Sequence, residues 1–198
     1  DRRDDRSVAL VDPSGRADPL NLPPDRYLSP RVSPDGERLA VQTIGEDGGV
    51  IWTYDLSDDR QIRQLTFEGD NQRPVWTPDG TRITFASDRD GATSLYSQPA
   101  DGSAAAQRLT SAAANERHWP GSWSPDGAVL AFNVVSASRT PAIWTLSRVD
   151  GGRDSAPLLE EDGRVYGFPE FSPDGRWLAY SAGDSALTLD VYVEPFPP

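Results

Sequence analysis

The sequence of 198 residues contains no cysteine, no methionine and only one histidine, His118. Without cysteine there can be no disulfide and no thiolate metal site, and a single histidine cannot supply a typical zinc site. No apolar run approaches the ~18 residues of a membrane span, so no membrane insertion is expected within this chain. Because methionine is absent even at the first position, we expect the chain to be a processed, excised or incompletely read product.

Lysine is absent as well, so all 19 basic residues are arginine, against 31 acidic residues. The net charge of −12 argues against nucleic acid as a partner, because phosphate would be repelled. The length is sufficient for one domain with its own core.

A Ser/Thr-Pro-Asp-Gly phrase occurs four times, and each copy precedes an alternation of apolar and polar residues. The copies begin at Ser33, Thr77, Ser124 and Ser172, and so recur about every 44–48 residues. A repeat of this length is typical of propellers and other arrays. Proline presets a turn and glycine takes a left-handed conformation, so each copy predicts a three-residue hairpin loop with a bulge. The aspartates of these turns are predicted to be structural, not catalytic.

Around each turn the pattern predicts four short antiparallel strands, which is the composition of a propeller blade. We therefore predict an all-β propeller of about four to four and a half blades in a single domain, 1–198. Its ring should be incomplete or closed by another chain. The predicted units are two strands of a closing blade (1–24), three blades (25–67, 68–111 and 112–160) and an incomplete blade (161–198). The open strand edges of such a chain favour self-association.

The first strand of each unit is predicted to begin just before the turn, at Pro30, Arg73, Gly121 and Pro169. On one face of these strands, the large side chains should wedge between neighbouring blades; they are Val32, Trp76, Trp123 and Phe171. The other face should line a water-filled central channel with Arg31, Val75, Ser122 and Glu170.

The repeated turn, the aromatic residue before it and the Leu65-Thr66 phrase resemble TolB-like, WD-repeat-like β-propellers. The segments 22–36, 52–56 and 191–197 are most similar to the propeller regions associated with bacterial serine/threonine kinases. The resemblance implies a bacterial propeller with an extracytoplasmic location, whether periplasmic, cell-surface or secreted. Members of that group usually continue with further blades after the Pro-Phe-Pro phrase at which this chain ends.

Residue patterns for catalysis are incomplete. The Gly-x-Ser-x-Gly elbow of hydrolases lacks its last glycine at 121–124. His118 lies in a predicted link between blades, where a lone histidine is more typical of a loop than of a general base. The acidic segments 88–91 and 46–49 lack the spacing of an EF-hand loop, so we predict no metal site, with calcium as the alternative. We also predict no cofactor and no enzyme activity.

The links between blades differ from one blade to the next, and variable loops on a rigid frame are where binding tends to reside. We therefore predict a non-enzymatic interaction scaffold that recognises a protein or peptide through this rim, with further candidate residues in the channel. The candidate binding residues are Arg31, Asn71, Arg73, Asn115, Arg117, His118, Tyr166 and Glu170. One alternative is the non-catalytic propeller of a prolyl-oligopeptidase-like serine peptidase. The other is a subunit that self-assembles by strand complementation into a dimer, ring or filament.

Overall fold

A computed structural model of the chain describes residues 6–20, 22–23, 25–57, 61–149 and 152–197, so residues 1–5, 21 and 24 of the predicted closing blade lie outside the described residues. The described residues form seventeen β-strands and no α-helix, which confirms the all-β prediction. In chain order the strands are β1 Ala9–Val11, β2 Ala17–Pro19, β3 Leu28–Val32, β4 Arg38–Gly45, β5 Gly48–Asp55, β6 Ile62–Gln64, β7 Asn71–Trp76, β8 Arg82–Ser87, β9 Ser94–Pro99, β10 Gln107–Arg108, β11 Glu116–Trp123, β12 Val129–Ser136, β13 Ala142–Val149, β14 Gly152–Leu159, β15 Val165–Phe171, β16 Trp177–Ser185 and β17 Thr188–Pro195.

The strands form antiparallel sheets in chain order, which is the arrangement of a β-propeller. The first three blades have four strands each, β3–β6, β7–β10 and β11–β14, and the fourth has three, β15–β17. The hairpin β1–β2 is a separate sheet. The inner strand of each later blade packs against the first three strands of the blade before it, so β7 lies on β3–β5, β11 on β7–β9 and β15 on β11–β13. The propeller prediction is therefore confirmed.

The four repeated turns share one hydrogen-bonding pattern, which the fourth turn illustrates. The Ser172 hydroxyl donates to Oδ1 of Asp174 at 2.6 Å and accepts the Trp177 N–H at 3.0 Å. Gly175 is left-handed, with a φ of 71°, as predicted. The loop itself is longer than the three residues predicted, since four residues separate Ser172 from Trp177, which face each other across the hairpin. The Trp177 N–H bonds to the serine side chain and not to the serine carbonyl.

The hydrogen bonds of the turn aspartates indicate that the stability of the fold decreases in acid. In all four, hydrogen bonds from the preceding Ser or Thr hydroxyl, and then from a backbone N–H, lower the pKa of the carboxyl, in Asp174 to about 2. Because unfolded Asp titrates near ~3.9, this stabilisation is complete above about pH 5 and is lost as the pH falls towards 2. We expect the urea midpoint to fall over that range. Replacing all four aspartates by asparagine, which keeps an acceptor oxygen, should reduce the fall; an equally steep fall would contradict the prediction.

The predicted wedges between blades are present at three of four positions. Trp76 and Phe171 are buried, and Trp123 packs in the cluster that joins the second and third blades. The Trp76 indole N–H also donates to the Arg31 carbonyl at 2.8 Å. The prediction for Val32 is wrong: half of its surface is exposed, because the described residues before β3 form no inner strand against which it could pack.

The two ends of the array differ in how they are covered. The β1–β2 hairpin packs on the first blade, where Leu20 contacts the cluster of Leu39, Val41 and Tyr54. No corresponding element covers the outer face of the fourth blade in the described part of the chain. Val191 there is 75% exposed, although it occupies the repeat position at which Ile51 is 0% exposed.

Candidate functional site at the channel and rim

The inner strand of each blade begins earlier than predicted, because a β-bulge allows the chain before the turn to continue pairing with the second strand. In three blades the bulge residue directly precedes a proline and has a left-handed backbone. These residues are Ser29 (φ 49°), Arg73 (φ 53°) and Phe168 (φ 55°). Residues other than glycine rarely adopt this conformation, which costs on the order of 1–3 kcal/mol and is concentrated at functional sites. The segments interpreted as links are thus partly strand.

Two buried amide side chains stabilise the strained residues from the blade before. Oε1 of Gln42 accepts the Arg73 N–H at 3.2 Å, and Oδ1 of Asn133 accepts the Phe168 N–H at 3.1 Å. At the same repeat position the second blade has Ala86, and the third-blade residue that corresponds to Arg73 is Pro120, which has no N–H to donate. Our sequence reasoning missed Gln42 and Asn133. Comparing the four repeats column by column would have found them, because an amide occurs where the next blade has a donor and alanine where it has proline.

The bulges surround a cavity of about 260 Å³ on the propeller axis, lined by all four blades. Arg31, Arg73 and Glu170 are its only ionisable lining residues among those described. Burial raises the pKa of Glu170, and the positive charge of Arg31 partly opposes this. Burial also lowers the pKa of Arg73, whose guanidinium lies 4.7 Å from the centre of the Trp119 ring.

The predicted lining of this channel is correct for Arg31, Val75 and Glu170 but wrong for Ser122. Ser122 is buried, and its hydroxyl accepts the backbone N–H of Phe171 at 2.7 Å. The hydroxyl therefore joins the third and fourth blades, which is a structural role and leaves it without the environment of a nucleophile.

A second cavity, of about 560 Å³, lies on the rim between the second and third blades. Asn115 and Arg117 line it beside the tip of the β8–β9 hairpin. Glu116, also in the lining, is bound by Arg139, which reaches Glu160 as well. In contrast, the Arg117 side chain makes no hydrogen bond or ion pair with any described residue.

Two candidate residues, Asn71 and Tyr166, are buried among intramolecular partners. Asn71 donates to the carbonyls of Glu68 (3.0 Å) and Gly69 (2.7 Å) and accepts from Arg89. The Tyr166 hydroxyl donates to Glu161 at 3.2 Å. Neither side chain is oriented as a free contact residue on the rim.

His118 was expected on a link at the rim, and this location is wrong. It lies in β11 and is buried, with Nδ1 2.8 Å from Oγ1 of Thr110. Burial is the main cause that lowers its pKa to about 4, so the ring is neutral at physiological pH. The histidine therefore supports the packing of the second blade on the third.

The acidic loop 88–91 uses its carboxylates to hold the chain together. Oδ1 of Asp88 accepts the backbone N–H of Asp70 at 2.7 Å, and Oδ2 of Asp90 accepts the Tyr96 hydroxyl at 2.6 Å. Over the described ranges, no three acidic or histidine side chains come together as metal ligands would. Nor does this part of the chain include a helix with the length and hydropathy needed to cross a membrane.

Comparison with known proteins identifies relatives over almost the whole chain. The family described as TolB beta propeller domain matches residues 14–193. "Uncharacterized peptidase YuxL" of Bacillus subtilis is 26% identical over 83% of this chain and 31% of that protein. TolB of Anaeromyxobacter dehalogenans is 36% identical over 42% of this chain and 19% of that protein. The crystal structure of TolB from Acinetobacter baumannii superposes with a TM-score of 0.76 at 22% identity, covering 96% of this chain and 46% of that one. The chain thus spans less than half the length of each.

Proposed function

The chain belongs to the TolB beta propeller family, and we propose that it acts as a non-enzymatic recognition module for a protein or peptide. In this proposal the partner contacts the rim groove at Asn115 and Arg117 and the mouth of the channel at Arg73. The resemblance to TolB-like and kinase-associated propellers supports an extracytoplasmic location, which is part of the same proposal.

The observation that supports the proposal is the lack of an ion pair with any described residue at three arginines. Within the described residues, Arg31, Arg73 and Arg117 form no ion pair, whereas Arg38, Arg139 and Arg176 each bind a carboxylate. In a chain with 31 acidic residues, an unpaired guanidinium at a concave surface is available to a partner. Arginine and the aromatic residues near it are enriched at binding hot spots.

The channel and the rim form a connected surface on the first two blades. Ser29 and Arg73 line both the axial cavity and a groove of about 340 Å³ between the first and second blades. One ligand can therefore contact this groove and the channel mouth together, and the groove at Asn115 and Arg117 lies at the next blade interface around the rim. This arrangement suits an extended peptide better than a compact small molecule.

Selection from a random peptide library tests the proposal. We expect enriched peptides to bind the parent protein and to lose about tenfold or more in affinity when Arg117 is replaced by glutamine, because truncating a hot-spot contact costs at least 1–2 kcal/mol. Fluorescence anisotropy with each selected peptide measures this. Arg176→Gln is the matched control, because Arg176 is exposed and pairs with Asp174 in a turn. No enrichment, or equal loss in both variants, would contradict the proposal.

A second candidate is the propeller part of a peptidase. The match to YuxL covers 83% of this chain but 31% of that protein, so the chain is similar to one portion of a protein named as a peptidase. In that case it would be non-catalytic by itself. Coding sequence for a hydrolase region with a Gly-x-Ser-x-Gly elbow next to this segment would favour this candidate over the first.

A further inference from the structure

We propose that the axial cavity is a receptor for a peptide carboxylate, which Arg31 and Arg73 bind between them. The inference rests on the proposed recognition function and deepens it by naming the chemical group that enters the channel. The group is a carboxylate on a peptide, from either an acidic side chain or a free chain end.

The conformation of Arg73 is the first support. A left-handed backbone before a proline is strained for arginine, and glycine would relieve the strain. The strain is nevertheless maintained by the Gln42 amide, which accepts the Arg73 N–H. The bulge directs the side chain to the cavity and over the Trp119 ring. A guanidinium held in this way presents a fixed fork of donors, which is the geometry that binds a carboxylate through two hydrogen bonds.

The charge balance of the cavity is the second support. Its ionisable lining, within the described residues, consists of two arginines and one glutamate. Glu170 is close enough to Arg31 for their charges to interact, but the two form no ion pair. At least one positive charge is therefore unmatched in a partly desolvated space, and a bound anion would balance it. Burial raises the pKa of Glu170, and protonation of this carboxyl would leave both arginines unmatched.

The remaining walls indicate a peptide as the source of the carboxylate. Phe168, which is 65% exposed as a residue, lines the cavity together with Pro74, Pro120 and Pro169. These surfaces suit an apolar side chain next to the acidic group. At about 260 Å³ the cavity is smaller than most drug-sized sites, so it admits a side chain or a chain end, not a folded element.

The experiment uses three probes that differ in one group, each labelled through an amide bond with an uncharged BODIPY dye. The first is Gly-Ser-Gly-Leu-Glu-Gly amide, with a side-chain carboxylate; the second is Gly-Ser-Gly-Leu-Gln-Gly with a free chain end; the third is the glutamine peptide as an amide, with neither. We expect one of the carboxylate probes to bind at least tenfold more tightly than the neutral amide in anisotropy titrations at low salt. Which of the two binds identifies the source of the carboxylate.

Substitutions in the cavity test whether the preference for a carboxylate probe arises there. Arg31→Gln and Arg73→Gln should each reduce binding to the level of the neutral probe, whereas Arg176→Gln should keep the preference, because Arg176 pairs with Asp174 in a turn away from the cavity lining. Gln42→Ala should weaken the preference without removing a charge, because Arg73 then loses its support. Far-UV circular dichroism checks that each variant is folded. Arg31→Gln is the variant less expected to disturb the fold, since the Arg31 side chain makes no hydrogen bond with a described residue and the bond from the Trp76 indole goes to the Arg31 backbone carbonyl.

Four results would overturn the inference. Equal affinity for all three probes, or a preference that survives in both Arg31→Gln and Arg73→Gln, would exclude a carboxylate receptor at this place. Stronger displacement by trigalacturonate, which carries its carboxylates on sugars, would exclude a peptide as the ligand. Failure of every probe would overturn this inference alone, because the library selection tests recognition with unrelated sequences.

Discussion

Replacing Trp76 by alanine is expected to cost about 3–5 kcal/mol of the free energy of unfolding, the range measured for large-to-alanine changes in cores. The indole packs with Ala40, Ile51 and Leu65 of the first blade, so its loss opens a cavity at a blade interface. The Arg31 carbonyl would also lose the hydrogen bond from the indole N–H. Equilibrium unfolding in urea, followed by circular dichroism, measures the change.

Trp177→Ala is the matched control for this experiment. Trp177 is 43% exposed on the fourth blade, so truncating it removes less buried surface and leaves no enclosed cavity. We expect a clearly smaller loss than for Trp76. Similar losses for the two tryptophans would contradict the packing of blades described here.

Gly121→Ala should destabilise the protein by about 1–3 kcal/mol or more, as overpacking does. A Cβ atom at this position would lie 2.6 Å from both Cγ and O of Pro169 and 2.9 Å from the carbonyl oxygen of Ala131. Two of these three atoms are backbone, so a side-chain rotation cannot relieve the overlap. The third and fourth blades would have to move apart near the axis.

Gly167→Ala provides the control at a neighbouring place. Gly167 is buried on the inner strand of the fourth blade, and the nearest atom to an added Cβ there is Nδ2 of Asn133 at 4.0 Å. The added methyl group should therefore be tolerated. Thermal unfolding of both variants compares them, and an intact transition temperature for Gly121→Ala would show that the blades are not in contact as described.

The fold was predictable because it depends on local patterns that recur. Each turn combines a proline, an aspartate and a glycine in fixed order, and these residues determine a hairpin without help from distant parts of the chain. The wedge at Trp76 followed from its place before the turn. The prediction that Val32 is a wedge was wrong, because the burial of Val32 depends on a neighbouring inner strand. The local sequence around Val32 does not show whether such a strand is present.

The candidate site was predictable only in part, because it arises where a local rule is broken. A proline normally marks the beginning of a strand or its edge, and the first strand of the second blade was predicted to begin at Arg73, directly before Pro74. The bulge at Arg73 instead lets the pairing continue on both sides of it. That error placed His118 on a loop in the equivalent segment of the third blade, whereas the longer strand buries it. The prediction that Arg31 and Glu170 face the axis was correct, because the alternation of side chains along a strand is a local property.

The pairing of amides with strained residues makes the blades non-interchangeable. If the second and third blades exchanged places, Gln42 would meet Pro120, which offers no N–H, and the amide would lose its donor. The Phe168 N–H would meet Ala86 and find no acceptor. Blades that share one architecture are thus specific for their neighbours. A chain with its blades in another order would fold less favourably than the chain with the natural order.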